Sequence, residues 1–123
     1  MRILLVDDDV ISIKFLRASL ERYGECCITL DGCDAVDVVL KSLVSGETYD
    51  LICLDIMMPN MNGLKALEQI RSLEYEYDLP ARLASKIIMT TALSDHQSII
   101  DAFHERCDAY LMKLLSTKIL SLN

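Results

Sequence analysis

In this 123-residue chain, acids and one lysine follow apolar runs in a repeated way. Asp7-Asp8-Asp9 follows the run Ile3 to Val6, Asp55 follows a second run, Thr90-Thr91 closes a third and Lys113 a fourth. If the runs ahead of Asp7 and Asp55 are neighbours, the carboxylates of Asp7, Asp8 and Asp55 share one small volume with a formal charge of about −3, a repulsion that a cation would relieve. A divalent ion together with Lys113 restores neutrality. Carboxylate, carbonyl and water oxygens suit a hard octahedral ion such as Mg2+, whereas calcium would need more ligands than these positions offer. Taken alone, the triplet reads more readily as a solvated turn with Asp9 capping a helix, and Asp55 as a loop acid ahead of the turn residues Pro59-Asn60-Met61-Asn62-Gly63.

Positioning these side chains requires short buried strands. Runs of four or five apolar residues alternate with stretches of helical period, the pattern of a parallel sheet with crossover helices. Strands are expected at Arg2 to Val6, Cys26 to Leu30, Asp50 to Leu54, Lys86 to Thr90 and Ala109 to Met112. The first helix carries Ile13, Leu16, Leu20 and Tyr23 and stops at Gly24; the second opens on Asp34 as N-cap, buries Ala35, Val39 and Leu43, and closes at Gly46. A third begins near Gly63 with Leu64, Leu67 and Ile70 inward. A fourth begins at Ser94 or Asp95 with Ile99, Ile100, Phe103 and Cys107. Ser116 to Asn123 leave about two turns for a fifth. Glu74 to Ser85, with Pro80 and mixed charges, reads as a long surface loop. Such a chain predicts an α/β fold, an open doubly wound five-stranded parallel sheet of the (βα)5 flavodoxin-like kind with a shortened last helix. In these sheets, sites form beyond the carboxyl ends of the strands, where the winding reverses.

Composition narrows the function classes. The chain is 52% hydrophobic with a net charge of −7, which supports one self-sufficient domain over residues 1–123 and argues against nucleic acid as a partner. No run is long enough to span a bilayer, and Ile3 to Val6 is cut off by aspartates before a signal-peptide core could form. Cys26, Cys27, Cys33, Cys53 and Cys107 have no C-x-x-C spacing and no ligand-like relation to His96 or His104, so they read as buried thiols and the expected location is cytoplasmic.

The segments ILLVDDD (3–9), DLICLDIMMPNMNG (50–63), IIMTTA (87–92) and DAYLMK (108–113), in that order, resemble the CheY-like receiver domain of two-component response regulators. The likeness runs from Arg2 to about Thr117, and its most specific part is D-x-M-M-P-x-M-x-G. The resemblance implies that Asp55 accepts a phosphoryl group as an acyl phosphate. It implies that Asp8, Asp55 and the backbone carbonyl of Met57 hold Mg2+, with Asp7 acting through water. Thr91 and Lys113 would contact phosphoryl oxygens, and Tyr110 would be the aromatic that turns inward when Thr91 moves. Phosphoryl transfer needs positioning and neutralisation more than covalent assistance, which suits this set. Met57, Met58 and Met61 are read as packing or backbone groups rather than thioether ligands.

The expected partners are a sensor histidine kinase or histidine phosphotransfer protein and a downstream protein target, since no effector domain is expected. Turnover beyond its own phosphorylation and dephosphorylation is not expected. Three features depart from the family pattern: Leu114 stands where proline usually follows the lysine, Cys107 stands where a glycine is frequent, and the last helix is short. That short helix would leave apolar surface around Phe103, Leu111 and Leu115, to be covered either by a homodimer through the fourth helix, fifth strand and C-terminal tail or, in a monomer, by the tail folding back over the gap. Two rivals are a receiver-like module that is never phosphorylated and, through Asp7-x-Asp9, a haloacid-dehalogenase-type phosphatase.

Overall fold

A computed structural model of the chain describes residues 1–91, 97, 100, 101, 104 and 106–112, the side chains of Thr91 and Met112 excepted. Several expectations lie outside these residues: the start of the fourth helix with Ile99 and Phe103, Lys113 with Leu114 and Leu115 after it, and the terminal helix from Ser116. Five short strands form one sheet: β1 (Arg2–Val6), β2 (Glu25–Thr29), β3 (Leu51–Asp55), β4 (Lys86–Thr91) and β5 (Ala109–Met112). Their order is β2-β1-β3-β4-β5 and every pair is parallel. The winding therefore reverses between β1 and β3, which brings Asp7, just after β1, and Asp55, the last residue of β3, side by side.

Three helices join the first strands: α1 (Val10–Leu20), α2 (Gly32–Ser45) and α3 (Gly63–Glu76). Further along, Gln97, Ile100, Asp101 and His104 are helical, and Gln97 Nε2 donates to Asp101 Oδ1 at 3.0 Å. Alternation along the buried strands divides the core by face. Leu4, Val6, Ile52, Leu54, Ile87 and Met89 pack with Ala35, Val39, Ala66, Leu67 and Ile70 of α2 and α3. Ile3, Leu5 and Cys53 pack with Ile13 of α1 on the other side.

Local expectations needed correction where long-range contacts decide. The cap of α2 is Asp31, whose side chain accepts from Asp34 N at 2.8 Å, so Asp34 lies inside the first turn. There its charge still favours the helix N-terminus. α1 ends at Leu20 and Tyr23 is exposed. Gly24 does not end that helix in a left-handed conformation: a Cβ there would lie 2.1 Å from Met1 O, so glycine is required by the close approach of the N-terminal strand. Gly46 does take the left-handed cap, at φ 80°. Glu74 to Ser85 is not a surface loop throughout. α3 continues to Glu76, a 3-10 turn spans Ala81–Leu83, and Glu74 and Ser85 are buried. Among the cysteines, Cys53 and Cys107 are buried as expected, but Cys33 is exposed and Cys26 and Cys27 are half-buried.

Candidate functional site

β1 delivers its acids through an abrupt change of environment. Four buried apolar residues precede Asp7, which is itself fully buried, whereas Asp8 is exposed. The backbone holds the turn: Asp7 N donates to Thr29 O at 3.3 Å, and Asp9 N donates to Asp7 Oδ1 at 2.9 Å. Asp9 is directed elsewhere, accepting from Ile11 N at 3.0 Å through Oδ1 and from Ser12 Oγ at 3.1 Å through Oδ2. It is the N-cap of α1, and capping separates it chemically from the two acids before it.

Asp55 closes β3 and is 3% exposed. Its chain leaves the sheet along a fixed path: Ile56 N donates to Thr90 O at 3.0 Å, and Gly63 N donates to Ile56 O at 2.8 Å. The turn includes Asn60 at φ 67° and ends at Asn62, whose side chain caps α3 by accepting from Lys65 N at 2.9 Å. Gly63 has no alternative, because a Cβ there would lie 2.1 Å from the carbonyl oxygen of Asp55. The glycine ending the D-x-M-M-P-x-M-x-G run thus lets α3 press against the backbone of the acid that begins it. Gly32 plays a similar part at the start of α2, where a Cβ would come 2.6 Å from Met61 O.

These turns bring one oxygen each of Asp7, Asp8 and Asp55 within 4.8 Å of one another. All three donors are hard oxygens and, among the described residues, no sulfur or imidazole belongs to the cluster, so the set fits a divalent ion of the magnesium type. Met57 is 65% exposed. Thr91 closes β4 one residue beyond Thr90, which is the register partner of Asp55. Tyr110 lies in β5 opposite Met89 and is 36% exposed. Lys113 and the Thr91 hydroxyl are outside the described residues.

The sequence reading overlooked a second charged cluster at the opposite edge. Buried Arg71 donates from Nη1 to Glu74 Oε1 at 2.7 Å and to Ser85 O at 2.8 Å, from Nη2 to Asp108 Oδ2 at 3.0 Å, and from Nε to Arg106 O at 2.9 Å. Glu74 Oε2 accepts from Ser85 N, and Asp108 Oδ2 from Ile87 N, each at 2.8 Å. α3, the start of β4 and the turn into β5 are therefore tied to one guanidinium. A signal was present in the spacing: Leu67, Ile70, Arg71 and Glu74 follow the i, i+3, i+4, i+7 positions of one helix stripe, so two opposite charges stood where apolar residues belonged.

The sequence profile described as the response regulator receiver domain matches residues 3–121. The regulatory protein VanRB of Enterococcus faecalis is 37% identical over 121 residues, covering 98% of this chain and 49% of its own length. The hybrid signal transduction histidine kinase L of Dictyostelium discoideum is 37% identical over 113 residues, covering 91% of this chain and 6% of its own. The chain thus spans less than half the length of either relative. The receiver domain of the histidine kinase CKI1 from Arabidopsis thaliana, solved in complex with Mg2+ and BeF3−, superposes with a TM-score of 0.79 at 26% identity, covering 98% of this chain and 86% of that one.

Proposed function

This chain belongs to the response regulator receiver domain family, and from that membership we propose that it signals by accepting a phosphoryl group on Asp55 in a Mg2+-dependent reaction. The observation that carries the reading is the convergence of Asp7, Asp8 and Asp55 on one point at the carboxyl edge of the sheet, where the winding reverses. In the proposed step, an Asp55 carboxylate oxygen attacks the phosphorus of a phosphohistidine. The P–N bond breaks, its electron pair stays with the imidazole nitrogen, and the product is an acyl phosphate. Asp8, Asp55 and the Met57 carbonyl would hold Mg2+, with Asp7 reaching it through water; bound there, the ion offsets the clustered negative charge. Because the Met57 side chain faces solvent, its contribution would come from the backbone alone.

Lys113 and Thr91 are assigned to the phosphoryl oxygens, and Tyr110 to reporting the change toward β5. The donor is a sensor histidine kinase or histidine phosphotransfer protein, and the readout is binding to a downstream protein. The phosphatase reading is disfavoured by Asp9, whose carboxylate is engaged as a helix cap rather than as a second acid. Exposed Ile100 and Leu111 favour the homodimer through the fourth helix, β5 and tail. Sedimentation at tens of micromolar protein should show a dimer that Leu120→Asp disrupts; a monomer with and without phosphorylation removes it.

Mass spectrometry after incubation with acetyl phosphate and Mg2+ tests the main reading. Wild type should gain one phosphoryl mass and Asp55→Ala none. Turnover that depends on Asp7 rather than Asp55 would restore the phosphatase, and no gain in wild type would leave the unphosphorylated module.

A further inference from the structure

The carboxyl edge holds one more buried polar group beside Asp55. Register pairs Asp55 with Thr90 on the adjacent strand. Leu54 and Met89, the residues before them, both belong to the core on the α2 and α3 side. Alternation therefore turns Asp55 and Thr90 together toward the opposite face, one strand spacing apart. Thr90 is 5% exposed, and its Oγ1 has no hydrogen-bond partner among the described residues. Valine would fill the same space without burying a hydroxyl, so the threonine carries a cost that the packing alone does not explain.

We propose that Thr90 is a positioning residue for phosphoryl transfer, its hydroxyl donating a hydrogen bond to the non-attacking carboxyl oxygen of Asp55 as the acyl phosphate forms. The inference rests on the assignment of Asp55 as phosphoacceptor. Its energetic logic follows from the absence of that bond in the starting structure. An interaction made only on the way to the product lowers the barrier by its full strength, whereas one already present in the ground state lowers it less. The hydroxyl keeps its proton throughout. Its role is to fix the carboxyl rotamer, so that the other oxygen faces the incoming phosphorus, and to stabilise charge on the oxygen that does not react.

Thr29 supplies an internal control. Its Oγ1 is likewise buried and without a partner, but it ends β2 opposite Val6, whose side chain belongs to the other core face. Wild type, Thr90→Val, Thr90→Ser and Thr29→Val are compared for the rate of mass gain with acetyl phosphate and Mg2+, at limiting and at saturating donor. Melting temperature is recorded with and without Mg2+. Thr90→Val should slow phosphorylation at saturating donor about tenfold, the size one hydrogen bond to a charged group carries. It should melt no lower than wild type and keep the same Mg2+-induced shift. Thr90→Ser should regain most of the rate, and Thr29→Val should match wild type. A Thr90→Val protein phosphorylated at the wild-type rate overturns the proposal. Equal slowing by Thr29→Val, or slowing matched by a lost Mg2+ shift, also overturns it. Absence of any mass gain in wild type is a different result, which removes the phosphoacceptor assignment and this inference with it.

Discussion

The two edges of the sheet arrange their ionisable side chains in different ways. At the amino edge, Arg71 sits between Glu74 and Asp108, and the carboxylates also accept backbone N–H groups from the starts of β4 and its approach, so positive and negative groups alternate. At the carboxyl edge, three groups of the same sign come within 4.8 Å. The first arrangement is complete within the chain and ties secondary structure together. The second brings together the carboxylate oxygens that a hard divalent cation takes as ligands. Opposite charges meet at the edge that ties helix to strand, and acids alone make up the cluster at the edge proposed for chemistry.

The largest effect should come from breaking the paired edge. Arg71→Met leaves the Glu74 and Asp108 carboxylates without their guanidinium and removes the donors to Ser85 O and Arg106 O, so unfolding free energy should fall by about 3–5 kcal/mol. Urea denaturation measures it. A loss under about 1 kcal/mol would mean that the network behaves like an exposed ion pair and does not tie the amino edge together. At the other edge, adding a cation should stabilise. Mg2+ at a hundred times its dissociation constant should add about 2.7 kcal/mol to wild type, read as a rise in melting temperature. Asp8→Ala should abolish that rise. An unchanged wild-type melting temperature in millimolar Mg2+ would remove the metal assignment.

What the sequence made legible follows the same division. Strand positions could be read because each is a short apolar run between helical stretches, and β1 and β5 have the expected bounds. The cluster of Asp7, Asp8 and Asp55 could be read because the winding reversal makes the acids after β1 and β3 neighbours. The Arg71 network could not, because its partners are 3, 14, 35 and 37 residues away and only the helix stripe hinted at it. Gly24 shows the same limit. Its position after a helix implied a local cap, whereas its actual constraint is contact with Met1. Asp31 and Asp34 are both acceptable caps by type, and residue type alone does not say which of them accepts from the other, as Asp31 does from Asp34 N.

Two weak acids in the interior, Cys53 within β3 and Tyr49 just ahead of it, are kept neutral by burial and set a third, smaller effect. Burial, with Cys26 nearby, pushes the Cys53 thiol from 9.0 up to about 11; burial and a hydrogen bond with Cys27 push Tyr49 from 10.0 up to about 12. Both folded-state values exceed the unfolded ones, so the folded chain holds these protons more tightly. The resulting stability is fully present below about pH 9 and is lost as pH rises through 9 to 11 for Cys53 and 10 to 12 for Tyr49. Cys53→Ala will lower stability at neutral pH by leaving a small cavity, but it should flatten the decline between pH 9 and 11 by on the order of 2 kcal/mol. An equally steep decline in the variant would place the alkaline sensitivity elsewhere.

The smallest effect concerns exposed neighbours of the gathered charges. Once Asp55 carries a phosphoryl group, hydrolysis needs a water held in line with the phosphorus, and side chains near the mouth of the site decide whether it is held. Two residues beyond Asp55 stands Met57, 65% exposed and unable to direct a water through a strong hydrogen bond; Leu93, outside the described residues, stands two beyond Thr91. The acyl phosphate should therefore be long-lived, and Met57→Asn should speed its loss by roughly threefold, equivalent to about 0.7 kcal/mol in the barrier. Tyr75 provides the comparison at the other edge: it is 80% exposed beside the Arg71 network, and Tyr75→Asn should leave the decay unchanged. Decay is followed by mass spectrometry after the phosphodonor is removed. If Met57→Asn decays no faster than wild type, water at this site is ordered by something other than the residue beyond the acid, and the exposed rim has no part in setting the lifetime.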